Sequence, residues 1–191
     1  ASIRSAAEMV QTTEVTAQTV REMSSDVIDA VDRANRWITE LVHVAQAPQL
    51  QPEAVQLDEL VQNCMQEMAP EFTRRHIVCI ADPDAQLRVC AHSATLRQIL
   101  LSILANAVEA MPGGGVLEIR WSCNDTLAGL RVCDTGTGIS AEVQQRLFRP
   151  FFSTKGGGLG IGLALVKRMV EQWHGQLRLT PQLPHGTCVE I

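Results

Sequence analysis

Residues 150–170 read PFFSTKGGGLGIGLALVKRMV: a phenylalanine pair, a lysine, five glycines between 156 and 162, then Leu163, Leu165, Val166, Met169 and Val170 at helical spacing. Glycine in the first turn of a helix is entropically costly, so its presence here calls for a reason. The run lacks the G-K-[ST] ending of a Walker loop, and Gly158, Gly160 and Gly162, spaced by two, miss the G-x-G-x-x-G register. A P-loop and a dinucleotide fold are both poor readings. What fits is a loop feeding a helix whose exposed first-turn N–H groups and dipole suit a phosphate. Lys155 can add a point charge. Taken alone, the same residues leave an ordinary glycine-rich turn equally open.

Working outward, the chain has 191 residues, 46% of them hydrophobic and 19% charged, which bounds it as a globular core plus an appendage. A formal net charge of −5 argues against nucleic acid as a partner, since phosphate backbones want a basic face. No apolar run is long enough to span a bilayer, and the first residues lack the layout of a signal peptide, so no membrane contact by this segment is expected. Six scattered cysteines form no C-x-x-C pair; buried, reduced thiols in a cytoplasmic protein are expected, rather than a disulfide framework or a zinc site.

From Val20 to Val44 apolar residues keep a seven-residue beat: Val20, Val27, Ala34 and Leu41 on one position, Met23, Ala30, Trp37 and Val44 three later. Ser24, Val31, Ile38 and Ala45 widen the stripe to the face of a bundle helix. A shorter helical piece, SIRSAAEMV, precedes it. Residues 1–47 are thus expected to form a helical hairpin that closes a four-helix bundle in a homodimer; docking of both helices on their own domain is the competing reading. The prolines of AQAPQLQPEAV make residues 48–54 a linker. From residue 55 to 191 the pattern alternates: a helix capped by Asp58, strands at the β-branched HIVCIA and at LRVCA, a long helix starting at Ser93 with Leu96, Ile99, Leu100, Ile103, Leu104 and Ala107 on one apolar face, hairpin strands VLEIRWSC and LRVCD, a short helix, the glycine-led helix, and strands QLRLT and GTCVEI. The fold class expected is α+β, a hairpin followed by an α/β sandwich on a mixed sheet.

Three further islands carry chemistry. In CDTGTGI, Asp134 ends a strand before Gly136 and Gly138; a buried carboxylate there accepts from an exocyclic amine such as adenine's. In LSILANAVEA, Asn106 sits in an otherwise apolar helix face, where its amide oxygen is a hard donor fit for Mg²⁺. In LFRPFFSTK, three phenylalanines flank Pro150 as an apolar anchor for a lid. Each has a bland alternative: an Asp-rich turn, a satisfied core asparagine, plain core.

Their order is less bland. Asn in a helix, D-x-G-x-G after a strand, a Phe-rich anchor, then lysine and G-x-G-x-G opening a helix: this series resembles the ATP-binding domain of sensor histidine kinases, in the Bergerat superfamily shared with gyrase and mismatch-repair ATPases. Asn106 matches the N box, DTGTG the G1 box, FRPFFSTK the F box and GLGIGLAL the G2 box. The resemblance implies that Asn106 binds Mg²⁺ and Asp134 the adenine of ATP. Gly136 and Gly138 would take the nucleotide's near edge. Lys155 and the run Gly158, Leu159, Gly160, Ile161, Gly162 and Leu163 would meet the phosphates, with Gly186 and Thr187 near them. Asn106 and Lys155 would carry the catalytic roles. A lid over residues 149–158 would order only around nucleotide.

The hairpin resembles the family's dimerisation domain, and ASIRSAAEMV looks like the segment just after the H box of nitrogen-regulation-type kinases. His43, His76, His92, His174 and His185 all lie elsewhere than a phosphoacceptor site. The expectation is therefore a chain that holds ATP and transfers phosphate to a histidine it does not itself contain, in a homodimer that passes the phosphate to a response regulator receiver domain, in the cytoplasm. Ser102 stands where many members have a second asparagine, and His92 where an aspartate is common. Two rivals remain: a Bergerat ATPase with water as nucleophile, which usually has a glutamate where Ser102 stands, and a non-catalytic dimeric interaction module.

Overall fold

The computed structural model describes residues 52–83, 87–123, 127–153, 160–182 and 184–191, together with Ser24, Val27 and Val31, each of which is helical. The remainder of the expected hairpin lies outside the described residues. From Pro52 onward the described residues belong to one compact unit.

That unit is built on two sheets. β1 (Glu53–Gln56) and β3 (Arg88–Ala91) form a small antiparallel pair. The main sheet has five strands: β2 (Ile77–Pro83), β4 (Gly115–Cys123), β5 (Ala128–Asp134), β7 (Thr187–Glu190) and β6 (Arg178–Pro181), in that spatial order. β2 runs parallel to β4 and the remaining pairs are antiparallel, so the sheet is mixed, as expected. Strand β1 lies partly in the stretch read as linker; prolines flagged a break, and nothing in EAVQ alone signals its partner.

Two helices of 18 residues supply most of the second layer: α1 (Leu57–Arg74) and α2 (Ser93–Ala110). In α1 the buried residues Leu57, Leu60, Val61 and Cys64 recur at three- and four-residue steps, the spacing of one helical face. In α2 the buried face is Leu96, Ile99, Leu100, Ile103, Leu104, Ala107 and Val108, the stripe read from the sequence with one residue more. Burying each such side chain is worth about 1.5–3 kcal/mol, so α2 anchors the layer.

The caps differ from expectation. Asp58 does not cap α1: Gln56 is the N-cap residue and makes no side-chain cap bond. Asp58 Oδ1 instead accepts from Leu87 N and from Trp121 Nε1, both at 3.2 Å. α2 is capped by His92, whose Nδ1 accepts from Thr95 N, while Ser93 Oγ donates to Glu53. The imidazole nitrogen here does the work that a short oxygen-bearing side chain does at most N-caps.

Side-chain alternation gives the main sheet a closed and an open face. Leu117, Ile119 and Trp121 of β4 are buried, with Leu130 and Val132 of β5, Leu179 of β6 and Val189 of β7. The other face carries exposed Val78, Ile80 and Val116 and, farther across, Arg120 and Arg131. Cys133 and Cys188 are joined by a disulfide, against the expectation of six reduced thiols. They stand opposite each other in the β5–β7 register with Cα atoms 4.1 Å apart. Their 55-residue separation hid a pairing that only the strand register creates. Of the other cysteines, Cys64 is buried, whereas Cys90 and Cys123 are exposed.

Candidate functional site

Asp134 closes β5 with its side chain inside the protein, 5% exposed. A buried carboxylate needs hydrogen-bond donors to stay charged, and two backbone N–H groups point at its Oδ1. Gly136 N donates at 2.8 Å, forming a local turn, and Thr187 N donates at 3.3 Å from the neighbouring strand. Asp134 and Thr187 are register partners in β5 and β7, so the sheet itself orients the carboxylate.

The glycines after Asp134 are explained first by packing. A Cβ on Gly136 would lie 2.5 Å from the carbonyl oxygen of Ala110. Thr137 N donates to that same oxygen at 3.0 Å, which ties the loop to the C-terminal end of α2. Gly186, at φ +120°, passes so close to Asp134 that a Cβ there would overlap the Asp134 carbonyl oxygen. Gly138 (φ +72°) packs against Gly186 in turn. The sequence marked Gly136 and Gly138 for approach of a ligand; the backbone needs both for its own closure as well. The close approach at Gly186 was missed, although the pair Gly186–Thr187 was the one signal for it.

Asn106 lies one helical turn before Ala110 on α2, on the same side of the helix. Its Nδ2 donates to Ser102 O at 2.9 Å. That bond uses the amide nitrogen and sets the amide oxygen as the end suited to a hard cation. The Ser102 carbonyl, not its hydroxyl, is thus what steadies the asparagine.

The glycine-led helix is α4 (Gly162–Gln172), following the short α3 (Ala141–Gln144). Its N-cap residue Ile161 is buried and offers no side-chain cap to the first-turn amides of Gly162 and Leu163. Gly160 adopts φ +66°, and a Cβ on it would run 2.3 Å from the Phe152 carbonyl oxygen. α4 packs against α2, the helix of Asn106. Lys155, Gly158 and Leu159 lie outside the described residues, as does the expected lid beyond Ser153.

The expected Phe-rich anchor is not core. Phe151 is 74% exposed in a left-handed conformation, φ +64°. Phe152 is half-buried, with the Arg146 guanidinium 4.6 Å from its ring centre. Phe148 is half-buried beneath Lys167, 5.1 Å from its ring centre. Cation–π contacts add to partial burial in holding the two rings.

A surface cavity of about 530 Å³ lies on the open sheet face over Arg120, Arg131, Arg178 and Glu190, and none of the candidate residues lines it. No cluster of histidine, cysteine and carboxylate groups suited to a metal occurs among the described residues. No described helix is long and apolar enough to cross a membrane.

This arrangement has known counterparts. The sensor histidine kinase ZraS of Klebsiella oxytoca is 34% identical over 148 residues, 76% of this chain and 32% of that protein. The chain therefore spans about a third of that relative's length. The crystal structure of full-length ShkA in complex with AMPPNP superposes with a TM-score of 0.76 at 25% identity, over 93% of this chain and 39% of that one. The histidine kinase ThkA, in complex with the response regulator protein TrrA, shares the fold at a TM-score of 0.82 and 20% identity, over 99% of this chain and 56% of that one. Residues 91–191, from the end of β3 through β7, match the model of the histidine kinase-, DNA gyrase B-, and HSP90-like ATPases; with the buried Asp134, the glycine closures and the uncapped α4 all inside that span, the chain belongs to this family.

Proposed function

We propose that this chain is the catalytic region of a sensor histidine kinase, which binds ATP and donates its γ-phosphoryl group to a histidine imidazole. The observation that carries the reading is the buried Asp134 carboxylate, oriented by Gly136 N and Thr187 N at one end of the sheet. A carboxylate held this way accepts from an exocyclic amine, which adenine presents on its pairing edge and guanine replaces with a carbonyl. The nearby turn of α2 offers Asn106, and the first-turn amides of α4 offer an anion site.

In this assignment Asp134 reads the base, with Gly136, Gly138 and Thr187 shaping its edge. Ile161, Gly162 and Leu163 face the phosphates, joined by Lys155, Gly158, Leu159 and Gly160. Asn106 would hold Mg²⁺ through its amide oxygen; the ion, when bound, supplies charge neutralisation to the phosphate oxygens. The chain's own part in transfer is then positioning and electrostatics. The domain division proposed with it is 1–47 a dimerising hairpin, 48–54 a linker whose last two residues begin β1, and 55–191 the ATP-binding domain. A homodimer and a response regulator receiver domain are the partners proposed, the latter supported by the complex that the structurally similar ThkA makes.

The test is a two-step assay on the 191-residue chain. Calorimetry with ATP and magnesium is expected to show binding below millimolar concentration, and label from γ-labelled ATP is expected to reach a histidine on a hairpin supplied in trans. Binding with release of free phosphate and no labelled histidine favours the ATPase reading; no binding at millimolar ATP leaves only an interaction module.

A further inference from the structure

We propose that Cys133 and Cys188 form a redox-responsive pair that sets nucleotide affinity through the Asp134–Thr187 contact; the proposal rests on the nucleotide reading given above. The two cysteines flank the base-reading pair directly. Asp134 follows Cys133 in β5, Thr187 precedes Cys188 in β7, and the two pairs are consecutive rungs of one ladder. By the alternation of a strand, the cysteine rung points to the open sheet face and the Asp134 rung to the opposite one. A covalent bond on one face therefore holds the spacing of the rung that orients the carboxylate on the other.

Exchange at this pair is gated by access to Cys188. Arg131 Nε lies 3.4 Å from Cys188 Sγ and 3.3 Å from Glu190 Oε1, so the sulfur faces an ion pair rather than a lone cation. Cys188 also sits one strand from the sheet's edge. Its cover is β6, a four-residue edge strand, and Gln182 just beyond it, whose Oε1 is 3.5 Å from the sulfur. Parting of that last short strand pair opens the sulfur to a small reagent. Burial pushes the Cys64 and Cys79 thiols up to about 11, which disfavours exchange there.

The step is thiol–disulfide exchange with a low-molecular-weight disulfide as oxidant. The Cys188 thiolate, having released its proton, attacks one sulfur of the reagent and expels a thiolate. The Cys133 thiolate then attacks Cys188 Sγ of the mixed disulfide and expels the second. Two protein thiols are oxidised by two electrons, the reagent disulfide is reduced to two thiols, and the two protons pass to the leaving thiolates. In the reverse direction the unbonded sulfurs need a separation on the order of 3.5–4 Å in place of about 2 Å. Both side chains are nearly enclosed, Cys133 at 6% and Cys188 at 2% exposure. Where this enclosure blocks side-chain rotation, the room comes from spreading β5 and β7, which lengthens the Thr187 N to Asp134 Oδ1 contact. The oxidised form is thus the tighter nucleotide binder.

The experiment compares the whole chain after treatment with glutathione disulfide and after treatment with a phosphine reductant. Alkylation and peptide mass mapping report the Cys133–Cys188 bond, and calorimetry reports ATP affinity in each state. The expected result is a bond in the first state only and an ATP affinity about fivefold tighter there, the low end of coupling between sites. The double variant C133A/C188A is expected to bind ATP with one affinity under both treatments. Equal affinities in wild type with the bond mapped as formed, or no bond under the oxidant, overturn the proposal while leaving the nucleotide reading intact. A difference that persists in the double variant also overturns it, by assigning the effect to another thiol. Bond formation with no ATP binding in either state overturns both readings.

Discussion

Thr187 donates its backbone N–H to Asp134 Oδ1 at 3.3 Å from the strand directly alongside. Gly136 N donates to the same oxygen at 2.8 Å. An asparagine at this position keeps an oxygen that can take both bonds, so Asp134→Asn preserves the local fold. What it changes is the second atom, which becomes a donor and, on the proposed reading, would face the donor of an adenine amine. ATP affinity is expected to fall at least about tenfold, in line with roughly 1.5–3 kcal/mol for a hydrogen bond to a charged group. Unfolding by urea is expected to move little. Calorimetry alongside a denaturation curve checks both, and unchanged ATP affinity would remove the base-reading role.

A steric contrast follows from the loop after Asp134. Gly136→Ala would set a methyl 2.5 Å from the Ala110 carbonyl oxygen, whereas a Cβ on Gly113 meets nothing within 4 Å. Overpacking of this kind costs about 1–3 kcal/mol. Gly113→Ala is expected to stay within roughly 0.5 kcal/mol of wild type, as exposed substitutions do. Thermal melts of the two variants decide it. Equal Tm values would mean that the α2 end gives way freely and that Gly136 is not held by packing.

The readable parts of this chain were those set by short-range patterning. The α2 stripe from Leu96 to Ala107 came directly from its three- and four-residue spacing, and strand β2 from the β-branched run HIVCIA. Asp134, Asn106 and the α4 start were legible as an ordered series of motifs. What escaped depends on which strands lie side by side. The Cys133–Cys188 bond, the Gly186 approach to Asp134 and the β1–β3 pair all join residues 32 or more positions apart. Asp58 shows the same limit at a single residue: its place at a helix start suggested a cap, but its partners come from β4 and from Leu87, which precedes β3.

Those partners make Asp58 a structural residue. Its Oδ1 satisfies Trp121 Nε1, an indole donor in a side chain only 2% exposed, and the Leu87 amide. Asp58→Ala strands both donors, at about 1–3 kcal/mol for each that stays unpaired. Stability in urea is expected to drop by that order, with Trp121 fluorescence altered because its polar partner is gone. ATP affinity of the folded fraction is expected to hold. A variant as stable as wild type would show that water replaces the carboxylate at both donors.

The unpaired cysteines give a pH-dependent test. Burial pushes the Cys64 and Cys79 thiols up from 9.0 to about 11, while Cys90 and Cys123 are exposed. Because the thiolate is the reactive form, alkylation near pH 8 is expected to label Cys90 and Cys123 first and to leave Cys64 and Cys79 slow. Labelling of the slow pair should rise about tenfold per pH unit up to roughly 11. The same shift has a stability consequence of fixed sign. Between pH 9.0 and about 11 the folded protein keeps protons that the unfolded chain has lost, so stability is full below pH 9.0 and falls as pH rises through that interval. Mass mapping of alkylated peptides across pH, with urea midpoints measured in parallel, tests both statements; rapid labelling of Cys64 at pH 8 in the folded protein would contradict its place under the Leu60 and Val61 face of α1.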